Sequence, residues 1–125
     1  MRYLLDTHTL LWYSGNPSRL PDVVRDTLNN PKSKLFISVA SLWEIAIKVG
    51  AGKLEIVFDD LLVKLKLIDI VVMPVDNDFL TRLIDLPFIH KDPFDRLIIA
   101  TAQATNMTLV TTDENIQKYD VPWIW

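Results

Sequence analysis

MRYLLDTHTLLW, residues 1–12, combines a short apolar run, a single acid and the beginning of a helical pattern. Residues 2–5 predict a strand that ends at Asp6. The next residues, 7 to about 14, predict a helix, which Gly15, Asn16 and Pro17 close. The strand therefore runs directly into a helix, with a carboxylate at the junction. Such junctions are typical of the units that build a parallel α/β sheet.

The same order of elements recurs along the chain. Further strands are predicted at residues 35–38, 69–75 and 108–112, with a last edge strand at 121–125. Further helices are predicted at residues 22–29, 39–52, 58–68, 77–86, 93–105 and 113–119. Apolar strands that alternate with helices predict an α/β fold, in which helices cover both faces of a central parallel sheet. With 125 residues, we expect a single domain over 1–125.

Composition excludes several classes of protein. The chain is 50% hydrophobic and 23% charged, which excludes a disordered or fibrous protein. It has no cysteine, so disulfide scaffolds, zinc ribbons and thiol nucleophiles are excluded. No apolar run is long enough to span a bilayer, and Asp6 interrupts the first one without a signal-peptide cleavage site. We therefore expect a soluble, cytosolic protein that does not enter the membrane. At a net charge of -3, bulk positive charge cannot recruit nucleic acid.

Four carboxylates follow the predicted strands or begin the predicted helices. They are Asp6, Glu44, Asp95 and Asp113. In a doubly wound sheet these positions share the carboxyl edge, where ligands bind, so the four side chains are predicted to converge. Carboxylate oxygens suit Mg²⁺ or Mn²⁺, and two such ions can clamp a phosphodiester during attack by water. Neither histidine lies in a zinc-binding spacing such as HxH or HExxH.

Two of these acids also have structural interpretations that depend on helix ends or helix pairs. Asp6 is a suitable N-cap for the first helix. Glu44 fits a capping box with Ser41, or an ion pair with Lys48 one turn further on. Against the capping box, the helix is predicted to begin near Ser38, and Glu44 interrupts an apolar run, where an acid needs a partner or a metal.

The other two acids lie near the later helix ends. Asp95 suits the helix dipole from the first turn, but Asp92 is the better cap and Asp95 shares the apolar face. The outward face of that helix is predicted to carry Arg96 and Gln103. Asp113 lies in a second possible capping box, over residues 111–114. Ser38 and Thr112 are interpreted as caps, and the tryptophans Trp12 and Trp43 as core or interface residues.

The motifs DTHTLLW, SLWEIAIK and DPFDR, with TLVTTD near the end, together resemble the PIN-domain ribonucleases, and more closely the VapC-like toxins of bacterial type II toxin–antitoxin systems. The resemblance covers essentially the whole chain. It implies a PIN-like three-layer α/β/α fold with a central parallel sheet of four to five short strands. The family's acidic quartet falls on Asp6, Glu44, Asp95 and Asp113, as catalytic residues and metal ligands, with Asp92 as a possible outer fifth.

This resemblance implies a Mg²⁺- or Mn²⁺-dependent endoribonuclease that hydrolyses RNA. It also implies a cognate antitoxin that blocks the site, and a homodimer. Phosphate contacts are expected from Lys48, Lys91 and Arg96 at the rim, and His90 is a further candidate.

Alternatives from other classes remain. A phospho-receiver or other Mg²⁺-binding regulatory domain has similar length, but normally carries paired acids after its first strand. A haloacid-dehalogenase-like phosphatase needs an acid where His8 stands. A PIN-like scaffold that only binds would be expected to have lost part of the acidic quartet.

Overall fold

The computed structural model describes all 125 residues. Five strands form the sheet: β1 (Arg2–Leu5), β2 (Lys34–Ser38), β3 (Ile70–Met73), β4 (Thr108–Val110) and β5 (Trp123–Ile124). The seven helices are α1 (Thr7–Gly15), α2 (Asp22–Asn29), α3 (Val39–Gly50), α4 (Phe58–Leu67), α5 (Asn77–Ile84), α6 (Pro93–Thr105) and α7 (Glu114–Gln117). No helix combines the length and the hydropathy that a membrane-spanning segment requires.

All strand pairs are parallel, and the strand order is β3-β2-β1-β4-β5. Since the chain moves from β1 outward to β3 and then returns to β4 on the other side of β1, the order reverses between β1 and β4. Ligands of open α/β sheets bind at the carboxyl ends of the strands beside such a reversal. The predicted parallel sheet, with its edge strand at the C-terminus, is confirmed.

Side chains alternate between the two faces of the sheet. Tyr3 and Leu5 enter a core cluster with α1 to α4, whereas Leu4 enters a second cluster with α6 and α7. The same alternation separates Val110 from Leu109 in β4. Helices therefore cover both faces, which confirms the three-layer α/β/α prediction.

Most of the helices have an N-terminus that is capped by a side-chain oxygen. The N-caps with such a bond are Asp6, Ser38, Asp76, Asp92 and Asp113. Each accepts a hydrogen bond from a backbone N–H of the first turn that the helix itself leaves unpaired. At the other end of α6, Asn106 adopts a left-handed conformation with φ 55°. These caps place carboxylates directly after β1 and near the end of β4.

Most predicted boundaries lie within a few residues of the observed ones. Strand β3 ends at Met73 because Pro74 has no N–H for a further ladder bond. Strand β4 ends at Val110, although the N–H of Thr111 still donates to the carbonyl of Ile124 in β5 at 3.2 Å. A short 3-10 turn at Pro17–Arg19 was not expected from the sequence.

Candidate metal centre

His90, Asp95 and Asp113 offer ligand atoms that all lie within 4.8 Å of one another. His90 Nε2 lies 2.7 Å from Asp95 Oδ2 and 3.9 Å from Asp113 Oδ2. Asp95 is in the first turn of α6, and Asp113 caps α7 after β4. His90 comes from the linker between α5 and α6. We call these three residues the His90 cluster.

Burial and neighbouring charge raise the pKa of Asp95 to about 6 from 3.8. The largest cause is burial, followed by repulsion from Asp92, while the hydrogen bond and charge of His90 act in the opposite direction. Asp113 adds a smaller repulsion. Ionisation of this carboxyl group costs free energy because the group is buried among other acids. A bound cation would offset that cost, so the arrangement favours a cation at this position.

Asp6 is buried beside this cluster, with 4% of its surface exposed. Its Oδ1 accepts a hydrogen bond from the backbone N–H of Thr9 at 2.7 Å, and its Oδ2 accepts one from the hydroxyl of Thr111. The same Thr111 oxygen accepts from the backbone N–H of Asp113 at 3.1 Å. One threonine therefore links Asp6 to Asp113 across the strand reversal. Asp6 is a helix cap, and its oxygens retain lone pairs for a further ligand.

Glu44 occupies the second turn of α3, and its carboxylate has two partners. Oε1 accepts a hydrogen bond from the Thr7 hydroxyl at 2.7 Å, and Oε2 lies 3.4 Å from Lys48 Nζ. Helix α3 begins at its cap Ser38, so the Ser41 capping box was the wrong alternative and the Lys48 pair was the right one. Since Thr7 directly follows Asp6, the contact brings Glu44 toward the same edge.

The structure thus divides the four predicted acids. Asp95 and Asp113 come together at ligand distance, and His90 joins them. Asp6 and Glu44 are connected to that edge through Thr111 and Thr7 rather than belonging to the His90 cluster. Asp92 caps α6 by accepting from the Asp95 N–H at 3.0 Å, which leaves the Asp95 carboxylate free of that structural task, as the sequence predicts.

The predicted outward position of Arg96 is wrong. Arg96 is buried, and its guanidinium donates hydrogen bonds to the carbonyls of Leu86, Pro87 and His90 and to the Tyr119 hydroxyl. The unpaired carbonyls of the α5–α6 linker attract a donor that can serve several acceptors at once, which is a property of arginine. Arg96 is therefore unavailable for contact with a phosphate.

Trp43 is 63% exposed, so the core alternative is wrong for this residue and the interface alternative stays a prediction. Its ring packs edge-on against Phe94, with centroids 5.0 Å apart. Because Trp43 precedes Glu44 and Phe94 precedes Asp95, this aromatic contact joins α3 to α6 beside the acids. Trp12 is half-buried against the first core cluster. Thr112 is exposed, and the hydroxyl that supports the turn is that of Thr111.

Sequence reasoning missed the roles of three residues at this edge. The hydroxyls of Thr7 and Thr111 orient the acids, and the only signal was their position beside Asp6 and close to Asp113. Tyr119 binds the His90 backbone from a distant part of the chain, and no local pattern signals that contact.

The donor set of the His90 cluster fits a divalent ion. Two carboxylates and an imidazole are donors that suit Mn²⁺, and carboxylates together with water suit Mg²⁺. Without cysteine, the site lacks the soft ligands of structural zinc centres.

The fold and the site together define a class of protein. It is a three-layer α/β protein with a carboxylate-rich edge where the strand order reverses. Within that class, the PIN-domain family model matches residues 3–122. The chain belongs to the PIN-domain family, which confirms the resemblance drawn from its motifs.

Solved structures with the same fold cover nearly the whole chain. VapBC2 from Rickettsia felis, bound to a DNA fragment from its promoter, has a chain that matches with TM-score 0.75 and 20% identity, over 100% of this chain and 99% of that one. VapBC-1 from Haemophilus influenzae matches with TM-score 0.68 and 18% identity, over 99% and 97%. A toxin–antitoxin complex from Klebsiella pneumoniae matches with TM-score 0.66 and 17% identity, over 98% and 96%. No curated protein sequence matches the chain.

Proposed function

We propose that this protein is a divalent-metal-dependent endoribonuclease that acts as the toxin of a toxin–antitoxin pair. The observation that carries the proposal is the pairing of Asp95 with Asp113 at the strand reversal of a PIN-family chain. The VapBC structures and the toxin–antitoxin complex that share the fold support the biological role. The active site would comprise Asp6, Glu44, Asp95 and Asp113.

The proposed reaction is hydrolysis of an RNA phosphodiester by water. A bound Mg²⁺ or Mn²⁺ would supply Lewis acidity toward the phosphate and lower the pKa of a bound water. Asp95 and Asp113 would hold the ion, because they are the two carboxylates within ligand distance. Asp6 would place a buried negative charge beside them while it fixes the start of α1. Glu44, held by Thr7, would complete the acidic edge.

Binding of RNA to an acidic protein needs local positive charge. Lys91 is exposed and adjoins His90, so its ammonium group is free to meet a backbone phosphate near the cluster. Lys48 is paired with Glu44, which makes it a weaker candidate for that contact. Because a divalent ion adds charge of its own, the net charge of the chain does not prevent substrate binding.

A ribonuclease assay with end-labelled RNA tests this proposal. Wild-type protein should cleave with Mg²⁺ or Mn²⁺ and stop with EDTA, whereas Asp95→Asn should lose at least about a hundredfold in rate, since each ~1.4 kcal/mol of lost transition-state stabilisation is tenfold. Asp26→Asn is the matched control, because Asp26 is an exposed acid on α2, outside the site. Cleavage that persists in EDTA and in Asp95→Asn would contradict the proposal and indicate a contaminating nuclease.

The protein partners that we propose are an antitoxin and a second copy of the chain. We propose that the protein and its antitoxin act in the cytoplasm. Exposed apolar side chains support both partners. One set, Val39, Trp43 and Ile47, lies along α3, and Leu80 and Ile84 lie on α5. Apolar surface of this kind commonly marks contact with another protein. Size-exclusion chromatography with light scattering would measure the dimer, and a purely monomeric protein at micromolar concentration would contradict it.

The sheet argues against the phospho-receiver alternative. Receiver domains have the strand order 2-1-3-4-5, whereas this sheet has the order 3-2-1-4-5. The acid pair at the His90 cluster is also present, so a PIN-like scaffold that only binds is not favoured.

A further inference from the structure

We propose that His90 is a direct ligand of the divalent ion, through Nε2, and that Tyr119 and Arg96 hold its backbone so that the imidazole faces Asp95 and Asp113. This inference rests on the proposed metal-dependent function. It replaces a site of oxygen ligands alone by one with a nitrogen ligand.

The distances within the His90 cluster suit a shared ion. Ligand atoms about 2.1 Å from an octahedral ion lie about 3.0 Å apart when adjacent and about 4.2 Å apart when opposite. The Nε2 atom of His90 lies 2.7 Å from Asp95 Oδ2 and 3.9 Å from Asp113 Oδ2. The imidazole therefore presents one atom to both carboxylates. Small side-chain rotations would bring the three atoms, which now lie within 4.8 Å of one another, onto one ion.

Each carboxylate oxygen of the other two acids at this edge already has one protein donor, although lone pairs remain for a further ligand. The oxygens of Asp6 are engaged by Thr9 and Thr111, and those of Glu44 face Thr7 and Lys48. His90 and Asp95 have each other as side-chain partners, and both side chains keep 19% of their surface exposed. An ion thus has access to the His90 cluster, where it would displace only this one contact.

Buried polar groups fix the backbone at His90. The Tyr119 hydroxyl accepts hydrogen bonds from the N–H groups of Ile89, at 3.1 Å, and His90, at 2.8 Å, and lies 2.8 Å from the Pro87 carbonyl, to which it donates. Arg96 donates to the carbonyl of His90 at 3.3 Å and to that of Pro87 at 2.8 Å. Tyr119 and Arg96 are each at least 94% buried. These hydrogen bonds hold the backbone of the α5–α6 linker at His90. Metal-binding side chains are commonly held in place by such surrounding hydrogen bonds, so this support is expected for a ligand.

A nitrogen ligand changes which ion the site prefers. Mn²⁺ binds imidazole more weakly than the later first-row ions do, but it accepts a nitrogen ligand more readily than Mg²⁺, which prefers oxygen. Loss of the imidazole should therefore weaken Mn²⁺ binding more than Mg²⁺ binding. We expect His90→Asn to raise the Kd for Mn²⁺ at least about tenfold and the Kd for Mg²⁺ by less than about threefold.

Electron spin-echo spectroscopy of bound Mn²⁺ tests direct ligation. The chain has two histidines, so labelling histidine with ¹⁵N leaves His8, exposed on α1, as the internal control. Wild-type protein and His8→Asn should show a directly bound ¹⁵N, and His90→Asn should not. If wild-type protein binds Mn²⁺ without this nitrogen coupling, His90 is only a hydrogen-bond partner of Asp95 and the inference is overturned.

Tyr119→Phe tests the positioning role, because it keeps the buried ring and removes the hydroxyl. We expect a weaker or heterogeneous nitrogen coupling and a Kd for Mn²⁺ about tenfold higher. Tyr13→Phe is the matched control, since the Tyr13 hydroxyl contacts Leu28 and Asn29, far along the chain from His90. Unchanged coupling and affinity in folded Tyr119→Phe would overturn the positioning role; if this variant does not fold, Arg96→Lys replaces it with the same two expected results.

The outcomes separate this inference from the proposed function. Absence of any Mn²⁺ binding that depends on Asp95 contradicts both. Binding without nitrogen coupling contradicts the role of His90 alone. Nitrogen coupling in a protein that does not cleave RNA supports the ligand and contradicts the nuclease.

Discussion

Asp95→Asn should stabilise the metal-free protein, although it removes a proposed catalytic residue. The Asp95 carboxylate is mostly buried and faces the charges of Asp92 and Asp113. Its ionised form is therefore disfavoured in the folded state, and this is why its pKa is raised to about 6. A neutral amide of the same shape avoids the desolvation and the repulsion, and its oxygen can still accept a hydrogen bond from His90.

The raised pKa of Asp95 gives the magnitude of this effect. A rise from 3.8 to about 6 corresponds to about 3 kcal/mol of lost stability at pH 7, at 1.36 kcal/mol per pKa unit. The dipole of α6 favours a first-turn charge by about 0.3–1 kcal/mol, which the variant loses. We expect a net gain of about 2 kcal/mol, or roughly 6–10 °C in Tm for a chain of this size.

The sign of the pH dependence is fixed by the direction of the shift. A carboxyl group with a raised pKa stabilises the fold while it is protonated, fully below about pH 3.8, and this stability is lost as the pH rises through about 6. The advantage of Asp95→Asn should therefore be complete at pH 7 and disappear near pH 4. Thermal unfolding in EDTA at several pH values measures it, with Asp26→Asn, expected within about 0.5 kcal/mol of wild type, as the control.

Addition of Mn²⁺ should reverse the order of the two proteins. At a hundred times its Kd the ion stabilises wild-type protein by about 2.7 kcal/mol, which exceeds the expected metal-free advantage of the variant of about 2 kcal/mol. Asp95→Asn should lose most of this stabilisation by the ion. If Asp95→Asn is less stable than wild type in EDTA at pH 7, or if the difference does not change between pH 7 and pH 4, Asp95 is a dipole or capping residue and the reasoning is refuted.

Three further results are expected. The affinity for Mn²⁺ should fall by up to about tenfold per pH unit below about pH 6, because a proton competes with the ion for the Asp95 carboxylate. Calorimetric titration with Mn²⁺ from pH 5 to 7 measures this affinity, and an affinity that does not change with pH would contradict the role of Asp95 as a ligand. Asp6→Ala should lower the free energy of unfolding in urea by at least about 1–2 kcal/mol, because the Thr9 N–H loses its capping acceptor. Asp6→Asn should lower it less, because the amide oxygen still accepts this hydrogen bond, and equal losses in the two variants would contradict the capping role. Expression without an antitoxin should arrest bacterial growth for wild-type protein and not for Asp6→Asn, and unchanged growth with both proteins would argue against the toxin role.

Much of the fold could be predicted from local patterns. Apolar strands end at acids or serines that begin the next helix, as at Asp6 and Ser38, so the parallel α/β order is visible along the chain. The Asp92-Pro93 pair places the start of α6 at the observed residue. The pairing of β1 with β4 involves residues more than 100 positions apart, and here the strand alternation and the family resemblance supplied the expectation.

The site was less accessible to sequence reasoning. Position along the chain indicated which edge the acids share, but not which of them come within ligand distance. That depends on side-chain partners such as Thr7 and Thr111, whose hydroxyls look like ordinary polar residues in the sequence. Arg96 was misplaced because a charged residue is normally exposed, and only the folded chain shows the linker carbonyls that it binds.

The most direct test of a metal-dependent nuclease compares cleavage with metal occupancy in one sample. Single-turnover cleavage of labelled RNA and the bound fraction of Mn²⁺ are measured across the same titration, for wild-type protein and for Asp95→Asn. We expect the wild-type cleavage rate to rise with occupancy of the Asp95 site, and both to be lost in the variant. Cleavage at full rate before any Mn²⁺ binds, or full occupancy without cleavage of any RNA, would contradict the account.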